Sequence, residues 1–477
     1  MSVIPGNIET DQAPPMTIPL QHFVVGFAFL LLGAGFGVLR ALGFVAGIGR
    51  LAHVHLLLVG WVVVTIMGAM TQFVPVWSAV AIHSRRLATL ELQLVGTGLL
   101  AFVVASLLGW TQWLWVGGTL MLVGLWVFVY NIARTLAALD EFDVTERHFA
   151  VALGFFLLVS TYGFLLALDF PYRVLPAISL THTATLSAHA TLAVLGAVMT
   201  TVVGALYQLS TMFTQTKLHG VDHHLRRVEE ASYPLGVLLL AHGRLFGSRP
   251  VAWAGGALVL VGLVAVSVVL GRRLVETQVE WTPMLSRYAV VTAALPLWAV
   301  VTAPAWARNP LSWSSVFGPT GGLHLLLIGV VGFVVLGTLY HVVPFIVWVH
   351  RYSDRLGLEK VPMIDDLYRT RLAMVDFWLV AGGSALFVAG TLLSGTAVTA
   401  LRVGGGALAT VGFAVFAANM LLVVREHSPY SLGDLLAGVL PGGTARGPGP
   451  RPTNSPGDPP NTFVVTPMPC REHPRTA

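Results

Sequence analysis

HVHLLLVGWVVVTIMGAMTQFVP, residues 53–75, opens on two histidines, runs apolar for a membrane's width and closes on Gly68, Gln72 and Pro75. The pattern occurs twice more. His189 opens HATLAVLGAV and leads to Gly204, Tyr207 and Gln208; His324 opens HLLLIGVVG and leads to Gly337, Tyr340, His341 and Pro344. Aligning Gly60, Gly196 and Gly329 brings Gly68, Gly204 and Gly337 together without gaps. Gln72, Gln208 and His341 then coincide, His53 pairs with His189, and His55 pairs with His324. The copies lie 136 and then 133 residues apart, a period too long for a short solenoid and suited to three multi-helix units.

The composition places these helices in a bilayer. Hydrophobic residues make up 55% of the chain and charged residues only 10%, too few to cover a water-soluble protein of 477 residues. Spans need roughly 20 apolar residues, and twelve such stretches fit between residues 18 and 425, the seventh (232–246) being short. The fold expected is therefore all-α and integral to the membrane, with twelve transmembrane helices in three repeated four-helix units. Residues 1–17 read as a cytoplasmic N-terminal segment without a cleavable signal. Residues 426–477 read as a cytoplasmic tail, mostly disordered because of its Pro and Gly content.

Basic residues support that count. With the N-terminus inside, 20 of the 27 Lys and Arg fall on cytoplasmic segments, as the positive-inside rule requires. The chain is thus expected in the cell membrane as a multi-pass protein with both termini cytoplasmic. The net charge of +5 reports this topology and implies no nucleic-acid partner. Cys470 is the single cysteine, which excludes an internal disulfide, an iron–sulfur cluster held by this chain alone and the thiol pair of c-type heme attachment.

Sixteen histidines remain to carry chemistry. His83, His148, His219, His223, His224, His350, His427 and His473 lie in loops or at span ends and read as solvated side chains. Within spans, ionisable residues are rare and mark functional paths, and His53, His55, His189 and His324 recur at equivalent positions. Residues two apart on a helix point about 200° apart, so His53 and His55 could serve two cofactors, one on each side. His182 and His189 return to one face and could line an elongated site, with His182 and His242 as weaker metal candidates. A heme b needs one or two imidazoles and an apolar pocket, without thioether links. One or two hemes b suit these histidine-rich, cysteine-poor helices. Toward the inner side, Tyr207, Tyr340 and His341 form a candidate proton relay, with an interfacial aromatic belt as the alternative for the tyrosines. Glu91, Asp169 and Asp376 lie in or near spans and could sit at interfaces.

The HVH–LLLVGWV–Gly68–Ala69–Pro75 helix resembles the histidine-bearing tenth helix of subunit I in C-family heme-copper oxidases. The stretch with His324, Gly337, Tyr340 and Pro344 is similar to the oxidase helix that brings histidine to copper. The twelve-span architecture, with ligand-bearing helices second in each group of four, also looks like the related nitric-oxide-response membrane proteins that bind heme and copper. The resemblance implies heme-binding roles for His53, His55, His189 and His324, and an electron-transfer, O₂ or nitric oxide chemistry. It also implies membrane lipid and an electron-donor or companion subunit as partners. The chain departs from the oxidases at span 7, where His242 is followed by Gly243 and Arg244 rather than by the second histidine of a copper site. Two other functions fit the sequence: a twelve-helix secondary transporter, and a non-catalytic heme- or copper-binding assembly or sensing component.

Overall fold

A computed structural model describes residues 14–393 and 397–437. Most of the 1–17 segment, the Pro/Gly-rich tail and Cys470 lie outside the described residues. The long helices are α1 (Thr17–Ala41), α2 (Gly47–Trp77), α3 (Arg85–Leu107), α4 (Thr111–Leu136), α5 (Val144–Tyr172), α6 (His182–Thr214), α7 (Asp222–Phe246), α8 (Arg249–Val275), α9 (Pro283–Arg308), α10 (Gly322–Arg351), α11 (Thr370–Leu392) and α12 (Ala397–His427). Ser84, Asp143, Thr181 and Thr282 accept from backbone N–H groups in the first turns of α3, α5, α6 and α9, so sequence punctuation fixes where these helices begin.

Eleven of these helices are long and apolar enough to cross a membrane. Their outward faces carry Leu100, Val104, Trp126, Leu297, Val300 and Trp378 in exposed positions, an extent of apolar surface that marks a lipid-facing wall. The molecule is an all-helical, multi-pass membrane protein. Eleven is one fewer than the twelve spans expected, and α7 makes the difference. Its first half holds Asp222, Arg226, Arg227, Glu229 and Glu230, and only the later stretch, the expected short span 232–246, is apolar.

Close hairpins account for much of the packing. α3 lies on α4, α7 on α8 and α11 on α12, and at each crossing two glycines abut: Gly98 with Gly117, Gly236 with Gly255, Gly383 with Gly405. Small residues facing each other allow the dispersion contacts that hold helices together where lipid removes the hydrophobic drive. α1 packs on α2, α5 on α6 and α9 on α10, while α4 meets α5, α8 meets α9 and α12 returns to α1, closing a ring.

Three helices occupy the middle. In their apolar windows 67% (α2), 83% (α6) and 67% (α10) of residues are buried, against 22% to 56% in the other eight apolar helices. Each of the three carries one π-helical stretch, at Leu56–Val63, Leu192–Val198 and Leu327–Gly332. π turns are rare and concentrate at functional sites. Here they fall just after the histidines.

Candidate functional site

The inner helices hold two layers of polar groups separated by apolar turns. His53, His55, His189 and His324 lie near the start of α2, α6 and α10. Thr71, Tyr207 and Tyr340 lie near the other end, about 24–27 Å further along each helix at 1.5 Å per residue.

Three of the four histidine rings are anchored alike. Nδ1–H of His53 donates to the carbonyl of Gly33 on α1 at 2.8 Å, that of His189 to Val159 on α5 at 3.0 Å, and that of His55 to Leu51 at 2.9 Å. A carbonyl can only accept, so Nδ1 must carry the proton and Nε2 keeps its lone pair for a metal. On α1 and α5 a glycine also makes room for the ring. A Cβ on Gly37 would stand 2.7 Å from His53 Cε1, and one on Gly163 would stand 2.9 Å from His189 Cε1. On the third helices, Phe102 packs 4.6 Å from His55 and Phe387 packs 4.5 Å from His324.

His53 and His55 point to different neighbours, as their 200° separation requires, and each has a partner from another run of helices. His324 lies within Coulombic range of His53, and His189 lies within Coulombic range of His55. The four histidines are thus neighbours two by two, across α2 and α10 and across α2 and α6. Arg40 stands within the same range of both His53 and His324.

Between α6 and α10 the alignment puts Thr191 and Gly322 where the other two junctions have histidines. Arg244 of α7 fills this place. It donates to Thr191 Oγ1 at 2.6 Å, Pro310 O at 3.0 Å and Val316 O at 2.9 Å, and its guanidinium lies 5.3 Å from the Trp306 ring centre.

His182 and His242 do not join the four. His182, at the start of α6, donates to Asp169 at 2.9 Å. His242 is exposed and packs 4.6 Å from Phe246. Among the described residues no group of three or more His, Cys, Asp or Glu is arranged to hold a metal ion.

The second layer was largely hidden in the sequence. Gly68, Gly204 and Gly337 press against His22 of α1, His148 of α5 and Arg287 of α9, where an added Cβ would come within 2.6, 2.5 and 3.2 Å of the Cβ atoms. Each of these three side chains meets a fully buried carboxylate on the third helix: Glu91 on α3, Glu229 on α7 and Asp376 on α11. His148, expected to be solvated, is 3% exposed because Glu229 holds its Nε2 at 3.0 Å. Tyr207 donates to Glu229 at 3.0 Å, and Tyr340 donates to Asp376. At 6% and 1% exposure, these tyrosines belong to the interior rather than to an interfacial belt. His341 sits between Phe213 at 4.8 Å and Phe345 at 5.8 Å. Glu91 and Asp376 are interior residues rather than interfacial ones, and the only sequence signal for them was a carboxylate inside an apolar run.

No protein-family model matches this sequence, and no curated protein matches it significantly.

Proposed function

We propose that this chain is an integral-membrane heme b protein of the heme-copper oxidase subunit I type, built from three four-helix units (α1–α4, α5–α8 and α9–α12) and acting in electron transfer. The observation that carries the reading is the pairing of His53 with His324 and of His55 with His189 at two inter-unit junctions, with Nδ1 of three rings committed to carbonyls. Neighbouring imidazoles from different helices, with Nε2 left free on His53, His55 and His189, would be able to hold heme iron. Gly37 and Gly163 supply the cradle, and Arg40 beside the His53–His324 pair suits the carboxylate edge of the macrocycle. Bound there, held by His53 with His324 or by His55 with His189, heme would supply a one-electron redox centre, which suits electron transfer. The residues do the rest: the carbonyls of Gly33, Val159 and Leu51 fix ring tautomer and orientation, and Phe102 and Phe387 pack on His55 and His324. A copper site with three protein ligands is not part of the proposal.

In this reading both termini face the cytoplasm in a cell membrane, lipid surrounds the ring, and a donor protein or companion subunit supplies electrons. The test is the dithionite-reduced minus oxidised spectrum of the chain purified from heme-replete cells. A b-type spectrum is expected, and it should vanish when His53, His55, His189 and His324 are all replaced by Ala. Purified protein without heme would overturn the proposal. The three buried carboxylates favour a second reading, a cation-coupled transporter, which colourless protein that accumulates a solute in proteoliposomes would establish.

A further inference from the structure

The three carboxylates of the second layer occupy equivalent places but have unequal surroundings. Glu229 receives His148 Nε2 at 3.0 and 3.2 Å and the Tyr207 hydroxyl at 3.0 Å. Asp376 receives Arg287 and Tyr340, and Tyr340 is in turn held by Asn419 at 3.0 Å. Both of these sites are closed. At Glu91 the Asn131 side chain of α4 stands beside the carboxylate, but neither carboxylate oxygen receives a hydrogen bond of good geometry, and His22 Nε2, Thr71 Oγ1 and Gln72 Oε1 are also buried without one. Such orphaned groups are rare in folded proteins and cost about 1–3 kcal/mol each if nothing satisfies them.

The cause is one side chain. Thr71 stands in the helix position from which Tyr207 and Tyr340 reach their carboxylates. A threonine is shorter by a phenol ring, and its Oγ1 makes no hydrogen bond to Glu91. His22 Nε2 and Glu91 Oε1 are 4.0 Å apart, too far for a direct hydrogen bond and suited to a bridging water. Nδ1–H of His22 already donates to Ile18 O at 2.9 Å, so Nε2 is protonated only in the imidazolium form. The pair can therefore hold one proton in two places, on the carboxylate or on Nε2.

We propose that Glu91 and His22 form a proton-exchange site, loaded from the end of the bundle at which α1 and α3 begin, while the equivalent Glu229 and Asp376 clusters are closed structural pairs. Binding converts the Glu91 carboxylate to the acid, or the His22 imidazole to imidazolium, and adds one positive charge to the site. Among the described residues no other charged group acts on either side chain. α2 presents Thr71 and Gln72, and Asn131 of α4 faces Glu91 while giving one amide hydrogen to Ser84 O and accepting from Ser84 N–H. The route in is short, because Glu91 lies six residues from the start of α3 and His22 five from the start of α1, less than two helical turns each.

The site does not depend on bound heme, and its test reads the carboxyl group directly. Infrared spectra of the full-length chain in lipid, taken across a pH series in H₂O and D₂O, should contain a protonated-carboxyl band that grows as pH falls and shifts down in D₂O. Glu91→Gln should lose that band, and Glu229→Gln should keep it. His22→Asn should move the pH at which it appears, because the alternative home for the proton is gone. A wild-type chain with no titrating, exchangeable carboxyl band overturns the proposal without reference to any variant, as does a band that persists unchanged in Glu91→Gln. Stabilisation by sodium alone, with no such band, would assign the oxygen set to a cation and equally overturn it.

Discussion

At the residue scale the arrangement turns on a few atoms. The His53 ring occupies the space that a side chain on Gly37 would need, 2.7 Å from the ideal Cβ, whereas Gly35, two residues earlier on α1, has nothing within 4 Å. Gly37→Ala should displace the ring from the Gly33 carbonyl and cut heme content at one of the two sites. Gly35→Ala on the same helix should leave the reduced spectrum as in wild type, and equal spectra for both variants would count against the cradle. The Arg287–Asp376 pair supports a stability prediction. Both side chains are essentially unexposed, so removing one partner strands the other charge in a low-dielectric interior. Asp376→Ala is expected to destabilise the protein by about 3–5 kcal/mol, seen as an earlier unfolding midpoint in detergent. Arg287→Met combined with Asp376→Leu should recover part of that loss, because no lone charge is left; a double variant worse than Asp376→Ala would contradict the assignment.

At the element scale, the π turns decide how the two layers face each other. A π turn adds one residue to a helix, and each residue of an α-helix advances about 100°. Without the extra residue in Leu56–Val63, His53 and His55 would rotate by about that angle relative to Gly68. Deleting Val59 should therefore swing both rings away from Gly37 and Phe102 while Gly68 still packs on His22. Heme-to-protein ratio should fall sharply with the size-exclusion profile unchanged, and full heme content would refute this role for the π turn. Little of this geometry was legible in the sequence. The histidines and glycines of α2, α6 and α10 were, because the same residue types recur at one interval. The π turns were not, since LLLVGWVV, LAVLGAV and LIGVVG are ordinary apolar runs whose hydrogen-bond register is set by packing. The carboxylate layer escaped for a different reason: its basic residues are His, His and Arg and its hydroxyls Thr, Tyr and Tyr, so equivalent places hold unlike residues. His148 reads as a solvated helix end beside Arg147, and only the arrival of Glu229 from α7 buries it.

At the scale of the whole molecule, the proposed three units in a ring would create three junctions, each combining one position of the His53 type with one of the His55 type. Two junctions carry histidine at both positions. The third carries Thr191 and Gly322, and Arg244 spends its guanidinium on Thr191, Pro310 and Val316 there. On the proposed reading the chain therefore binds two hemes, with the third junction closed by protein. The pairing yields a pattern that four independent ligands would not give. His53→Ala and His324→Ala should each deplete the same spectral component, and combining them should cost little more than either alone, because the second change acts on a site already lost. His55→Ala and His189→Ala should behave the same way on the other component. A cross-pair double variant, His53→Ala with His55→Ala, should remove both components together, since these neighbours on α2 serve different junctions. Reduced spectra of the single and double variants, with heme quantified per chain, separate the cases: additive losses within a pair, or redundancy across pairs, would break the two-junction arrangement even if heme is bound.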